Sequence, residues 1–427
     1  MIINIITLGC SKNLVDSEYL LRQIQASGHT VYHDRDDIEA DAVILNTCGF
    51  ILDAKEESIR EILRYTSMKQ EGRIHKLIIM GCLSERYRED LLKEIPEADG
   101  IFGVWDHPGI IRSLGAVFDE RLTSERIITT PSHYAFLKIS EGCNRQCSFC
   151  AIPGIRGGQR SRPVTDLLAE ARNILKNGAR ELILIAQDLT NYGVDLDGRK
   201  QLPQLLEALA GLDGLEWIRL HYAYPTGFPD EVIDIMAENP RVCRYLDIPI
   251  QHINDRILLS MNRGHNRQKL EQLLYRLRDK VPGVAVRTTV MTGYPGETEE
   301  EFEELVEFIR TFRFDRLGVF PYSHEEDTPA AALKDDIPAE VKRARADMIM
   351  ELQQDISLEI NQSRVGEIYR VLIDREEDEY LVGRTEYDSP EVDNEVLIKK
   401  PVDAGPGTFI QVKITGADAF DLYGSLC

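Results

Sequence analysis

The sequence lacks any apolar run near the ~20 residues that a membrane-crossing helix needs, and it has no low-complexity tract. Aromatic residues are sparse, 7% of the chain with 2 Trp. Hydrophobic residues still reach 43% and charged residues 29%, which excludes a disordered, collagen-like or coiled-coil protein. The opening MIINIITLGC has neither a basic n-region nor a small-residue cleavage site, so it reads as a first strand and the chain as cytosolic. Positive charge is the scarcest commodity: 50 Lys+Arg face 72 Asp+Glu, a net charge of −22. Nucleic-acid affinity comes largely from Lys and Arg displacing counterions, so a nucleic-acid substrate is disfavoured and a basic protein partner favoured. Cysteine is also limited, with 8 residues in 427, and in a cytosolic chain of this size metal binding or catalysis is the expected use rather than disulfides.

Length predicts about three domains. The first ~115 residues alternate apolar strands (2–8, 42–46, 77–80 and 100–104) with helices such as 13–27, the pattern of a parallel α/β sheet of Rossmann or flavodoxin-like type. Cys10, Cys48 and Cys82 each follow a strand by one to three residues. Loops at the carboxyl ends of parallel strands share one sheet edge, so these three cysteines are expected to converge. A second β/α series runs from about residue 134, with strands at 135–139, 181–186, 217–220, 245–248, 284–290 and 316–319. Among its helices, 299–311 opens with Thr298 and has Glu301 three residues on, a capping box. Six such units over ~200 residues make a partial (β/α) barrel of TIM type, short of the ~250 residues usual for eight. A long charged helix from Pro338 to about 361 is expected on the barrel's flank, with 336–355 read as a solvated face. The tail from 364 shows five short strands, the pattern of a small antiparallel β-barrel. It carries 14 Asp+Glu against 7 Lys+Arg, a net of −7, which makes it a poor RNA binder. The expected domains are therefore 1–118, 130–362 and 364–427.

EGCNRQCSFCAI (141–152) sets Cys143, Cys147 and Cys150 as C-x3-C-x2-C in the loop after the first barrel strand. Three thiolates can hold three irons of a cubane and leave the fourth open to chelate a small molecule. A structural zinc site closes with four ligands, and no fourth Cys or His lies nearby. In the second trio, LGCSKNLVDSE, NTCGF and GCLSER each put a cysteine on a Gly- or Thr-bearing turn, where small residues allow close backbone approach to a cluster. Three buried free cysteines are the alternative.

The C-x3-C-x2-C loop resembles that of the radical SAM superfamily. The resemblance implies S-adenosylmethionine (SAM) on the open iron, cleaved to a 5′-deoxyadenosyl radical, with Phe149 near the adenine or else packed as a loop aromatic. Over essentially its whole length the sequence is similar to the methylthiotransferases, through the motifs above together with CAIPGIRGGQRSR, IPIQHINDRILLSMNRG, TGYPGETEEEF and GRTEYDSPEVDN. That family implies two [4Fe-4S] clusters: a radical-generating one on Cys143, Cys147 and Cys150, and an auxiliary one on Cys10, Cys48 and Cys82 that presents the sulfur to be transferred. It also implies a C-terminal TRAM barrel, and SAM serving both as radical source and as methyl donor. LGCSKNLVDSE and IPIQHIND resemble the ribosomal-protein branch, whose substrate is an aspartate of protein uS12 modified at its β-carbon. A tRNA-adenosine methylthiotransferase is the first rival and a non-catalytic iron–sulfur scaffold the second. A flavodoxin or ferredoxin is the expected reductant and a monomer the expected state.

Gln187 and Asp188, Arg287, and Gly293 in GYPGE (293–297) are candidate SAM contacts at strand ends or on a strand. Arg156, Arg160 and Arg162 are expected either to pair with the SAM carboxylate or the substrate aspartate, or to be surface charges. His221, His252 and His265 read as satisfied loop or core histidines, Cys243 as a buried thiol and Cys427 as inert.

Overall fold

Strands Ile2–Thr7, Ala42–Thr47 and Lys76–Gly81 are apolar on both faces, as strands covered on both sides must be. In the computed structural model, which describes residues 1–401 and 403–427, they form the centre of a five-stranded sheet. Its order is Thr30–His33, Ile2–Thr7, Ala42–Thr47, Lys76–Gly81, Gly100–Ile101, all parallel. One core packs Ile6, Val43, Leu45, Leu77 and Ile79 against Ile62 and Tyr65 of helix Leu52–Gln70. The other packs Ile3, Ile5, Ile44 and Ile78 against Leu20 and Ile24 of helix Ser11–Ala26 and Ile110 and Ile111 of helix His107–Ser113. Strand Thr30–His33 is absent from the sequence reading because it is a half-exposed edge with a weak apolar signal. The expected strand at 100–104 shrinks to Gly100–Ile101. This sheet belongs to a unit made of residues 1–130, 136–145 and 150–173; the second unit comprises 131–135, 146–149 and 174–427.

In the second unit Arg316–Pro321, Ala285–Thr292, Val242–Asp247, Trp217–Leu220 and Glu181–Ile185 lie side by side in a parallel sheet, which strand Tyr134–Lys138 enters through Tyr134 and Ala135. Sequential order with intervening helices is the partial-barrel arrangement expected. The capping box forms as read: Thr298 Oγ1 accepts from the Glu301 amide at 3.3 Å, and Glu301 Oε2 from the Thr298 amide at 2.9 Å. Helix Ala339–Ser363 packs along strands Ala285–Thr292 and Arg316–Pro321. It corrects the reading of 336–355 as a solvated face. Lys342 and Arg345 are buried, because the helix turns them toward the sheet, where Asp335, Glu297 and Glu299 pair with them.

Residues 365–427 close a five-stranded barrel over Val371, Ile373, Leu381, Val396, Val412 and Leu422. Four pairings are antiparallel; Glu395–Lys399 and Asp421–Leu426 pair in parallel. The barrel is tied to the sheet through Glu181, fully buried, which accepts from Arg219 Nε at 2.7 Å and forms an ion pair with Arg384 Nη1 at 2.5 Å. Arg384 Nε also reaches Asp374 at 2.9 Å, and His133 Nε2 meets the same carboxylate at 2.7 Å. Among the described residues, no helix is long and apolar enough to cross a membrane.

Candidate metal centres

In the first unit the last paired rung, Thr47 against Gly81, sets Cys48 and Cys82 as the next residues on neighbouring strands, which in a sheet lie about 4.8 Å apart. The strand before Cys10 extends one step further through Leu8 N to Asn46 O at 2.9 Å. Cys10 then stands at the N-cap of helix Ser11–Ala26 and Cys82 begins helix Cys82–Arg86, so both lie at helix amino ends. Gly9 at φ +91° is required here: a Cβ there would lie 2.7 Å from Cys48 Cβ and 3.0 Å from Cys48 Sγ. Gly81, at φ +104°, would clash with the Thr47 carbonyl at 2.4 Å. The expected convergence of Cys10, Cys48 and Cys82 is thus met, with Cys48 and Cys82 buried and Cys10 exposed.

Burial pushes the Cys48 thiol up, countered by the Phe50 amide, while Cys10 adds to the rise. Burial pushes the Cys82 thiol up to about 12, with Arg156 opposing it and Cys10 and Cys48 reinforcing it. Three sulfur donors brought to one sheet edge with a buried cation against one of them have the donor chemistry of a sulfur-ligated metal group. That cation is Arg156. Its Nε donates to Cys82 Sγ at 3.3 Å, Nη1 to Asp16 at 3.2 Å and Glu141 at 2.8 Å, and Nη2 to Asn13 Oδ1 at 2.5 Å. Lys138 completes the network, reaching Glu141 at 2.6 Å and also pairing with Asp16. Ala151 and Ile155 pack directly on Cys82.

These contacts correct the expectation for two of the three arginines after the cysteine loop, Arg156 and Arg162. Arg156 is buried in its network, and Arg162 pairs with Glu170 and with Tyr19 Oη at 2.7 Å. Arg160 lies over the Trp105 ring with its guanidinium carbon 4.5 Å from the centroid. Arg160 is exposed, as the surface-charge alternative expects, whereas Arg156 and Arg162 are held in ion-pair networks. Asn13, Asp16, Lys138 and Glu141 were not singled out from the sequence, although the first two stand in LGCSKNLVDSE and the last opens EGCNRQCSFCAI.

In the C-x3-C-x2-C loop the Arg145 amide donates to Cys143 Sγ at 3.4 Å, and the Cys143 amide to Gly157 O at 3.1 Å. Gly142, at φ +75°, lies so close to the Gly158 carbonyl that a Cβ would come within 2.3 Å. In the second unit Cys147 Sγ meets Tyr224 Oη at 3.5 Å and Arg263 Nη1 at 3.3 Å, and the Arg263 guanidinium stacks 4.3 Å from the Tyr224 ring centroid. Ser148 is fixed beside it by Ser260 O at 2.8 Å and Tyr294 Oη at 2.9 Å. N–H donors on sulfur are what a thiolate-ligated iron cluster uses, so the trio of the first unit fits that group, and Cys143 and Cys147, each within its own unit, carry the same kind of contact. Among the described residues, no three Cys, His, Asp or Glu side chains are grouped as for a single metal ion.

Phe149 packs on Tyr294, Tyr322, Ile257 and Met261. Gln187 follows strand Glu181–Ile185, and Gly293 follows Ala285–Thr292, at the carboxyl edge that Tyr224 also occupies beyond Trp217–Leu220. Gly293 donates its amide to Glu297 at 2.8 Å and, at φ +71°, leaves room for Lys342. Asp188 accepts from the Thr190 amide at 2.9 Å. Arg287 lies near the amino end of its strand instead, paired with Asp247 and Asp393 at 3.3 Å each. His221 meets Ser389 at 2.8 Å and His265 meets Thr226 at 2.9 Å, partnered histidines as expected; His252 accepts from the Asn254 amide at 3.0 Å, but its buried Nε2, 3.3 Å from Glu297 Oε1, makes no hydrogen bond. Cys243 is a core thiol among Trp217, Tyr245 and Leu372.

Three family models match: Radical SAM superfamily over residues 137–309, Uncharacterized protein family UPF0004 over 2–103, and TRAM domain over 365–427. The chain is 54% identical over 424 residues to the ribosomal protein uS12 methylthiotransferase RimO of Flavobacterium johnsoniae, covering 99% of this chain and 97% of that one. It is 51% identical over 425 residues to the protein of the same name from Parabacteroides distasonis, covering 99% and 98%. Among solved structures, the radical S-adenosylmethionine methyltransferase TsrM of Kitasatospora setae superposes with a TM-score of 0.57 at 15% identity, over 77% of this chain and 76% of that one, a likeness of fold.

Proposed function

The chain belongs to the ribosomal protein uS12 methylthiotransferases, and from that premise we propose that it replaces a β-hydrogen of a uS12 aspartate with a methylthio group. The observation that carries this is similarity above 50% to uS12 methylthiotransferases along 99% of the chain. In this reading Cys143, Cys147 and Cys150 hold the radical-generating [4Fe-4S] cluster, and Cys10, Cys48 and Cys82 the auxiliary one. The clusters when bound would supply an electron for cleavage of SAM and a site for the sulfur, with a second SAM as methyl donor. The chain's own part is to hold the ligands: Arg263 and Tyr224 fix Cys147, and Arg156 fixes Cys82 against Asp16, Asn13 and Glu141. Gln187, Gly293 and Phe149 are assigned to SAM. An sp3 C–H bond offers no acidic proton to a general base, so holding the acceptor carbon beside a pre-placed sulfur matters more than acid–base groups.

Residues 1–118 would serve the auxiliary cluster, 130–362 the radical chemistry and 364–427 substrate recognition. The net −7 of the last segment supports a basic ribosomal protein over tRNA. We assign the chain to the cytoplasm as a monomer served by a flavodoxin or ferredoxin. The test is anaerobic: reconstituted chain, SAM and reductant, with uS12 and tRNA offered in parallel, and mass spectrometry for a methylthio group replacing hydrogen. Modified uS12 aspartate with untouched tRNA is expected, and Cys147→Ala abolishes it. Modified adenosine would overturn the substrate assignment, and turnover surviving Cys147→Ala would overturn the radical mechanism.

A further inference from the structure

We propose that Arg156 is a positioning residue that sets the electron affinity of the auxiliary cluster through its N–H contact with Cys82. The proposal rests on the reading that Cys10, Cys48 and Cys82 hold that cluster. The guanidinium is 2% exposed and its fork is locked from three sides, by Asp16, Glu141 and Asn13. Asn13 is itself anchored to the strand ends that carry the cysteines, donating to Leu8 O at 2.8 Å and Thr47 O at 3.2 Å. Nε, which makes none of these contacts, is aimed at Cys82 Sγ at 3.3 Å. Carboxylates alone would satisfy a buried arginine; the rigid fork instead commits one N–H to a sulfur, a poorer acceptor. A cluster gains negative charge when it takes up an electron, and an N–H donor and a cation at a ligand sulfur stabilise that form, raising the potential.

The surrounding charges give the effect a sign. Asp16 and Glu141 carry two negative charges, and Arg156 and Lys138 two positive ones, in one connected buried set. Removing Arg156 tips the balance negative and removes the sulfur contact. Neutralising Asp16 tips it positive and leaves the Nε–Sγ contact in place. The two substitutions therefore move the potential in opposite directions, which loss of packing alone would not do.

The experiment uses the full chain with Cys143, Cys147 and Cys150 replaced by alanine, reconstituted anaerobically with iron and sulfide, and a redox titration followed by electron paramagnetic resonance. Arg156→Met should shift the midpoint negative by a tenfold change in the reduction equilibrium or more, about 59 mV for one electron. Asp16→Asn should shift it positive, and Arg156→Lys should fall between parent and Arg156→Met. If Arg156→Met does not fold, Asp16→Asn and Arg156→Lys decide the question. Unchanged midpoints, or shifts of one sign, at parental iron and sulfide content overturn the proposal. A parent chain that takes up no iron overturns the cluster reading itself, and the proposal with it.

Discussion

Replacing Gly9 by alanine should cripple the auxiliary site while leaving the cysteine motif of the barrel loop untouched. The added methyl would sit 2.7 Å from Cys48 Cβ and 3.0 Å from its Sγ, and φ +91° disfavours any residue with a Cβ. Holding a non-glycine residue in so sparsely populated a region costs about 1–3 kcal/mol. Forcing a methyl into a filled space costs about 1–3 kcal/mol more. The sum, about 2–6 kcal/mol, is relieved only by moving Cys48, whose amide and carbonyl are pinned by Ser58 Oγ at 3.0 and 2.9 Å. Gly28 is the control. It has φ +84° but nothing within 4 Å of its would-be Cβ, so Gly28→Ala meets the backbone penalty alone. Urea unfolding of the apo chains should give a clearly larger loss for Gly9→Ala than for Gly28→Ala. Iron and sulfide analysis after anaerobic reconstitution should show Gly9→Ala lacking one cluster's worth of each, with Gly28→Ala at the parental level. A Gly9→Ala chain with full iron and a stability equal to that of Gly28→Ala would refute the close approach of Gly9 to Cys48 as the reason for glycine there.

Glu181→Gln leaves Arg219 and Arg384 buried around a neutral amide, and breaking such a set costs about 3–5 kcal/mol; urea denaturation should show it, together with faster proteolysis after Arg364. Burial opposes ionisation of Asp388, but Arg316 and Arg364 outweigh it and hold its carboxyl below the usual range; at Asp374, burial is likewise outweighed by Arg384 and His133. Because the folded values lie below the unfolded ones, their stabilisation is complete above roughly pH 4 and is lost as pH falls through the folded values. The urea midpoint should therefore drop on acidification below that point and drop less in Asp388→Asn; a midpoint flat from pH 5 to pH 3 would contradict this. Thr298→Ala removes one half of a capping box and should cost about 1 kcal/mol, with the iron content unchanged.

What the sequence displays well is local. The apolar runs marked the central strands of both sheets, and Thr298 with Glu301 marked a helix start because a capping box spans four residues. The six motif cysteines were legible for the same reason: each stands in a short string with its turn residues, and parallel topology alone brings Cys48 and Cys82 to adjacent strand ends. Edge strand Thr30–His33 escaped because a half-exposed edge has no need of an apolar pattern. The charges escaped for a different reason. Arg156 reaches Cys82 across 74 positions and Asn13 across 143, and Lys342 and Arg345 lie buried on a helix whose composition reads as solvated. A long cation's place, inside or outside, is set by the carboxylates that the fold delivers to it, and these come from elsewhere in the chain. Motif spacing therefore locates the cysteines of each trio but not the charges packed against them. Arg156 stands only six residues beyond Cys150 in sequence, yet it bonds Cys82 of the other trio, so proximity along the chain to one cysteine motif does not decide which cysteine a cation serves.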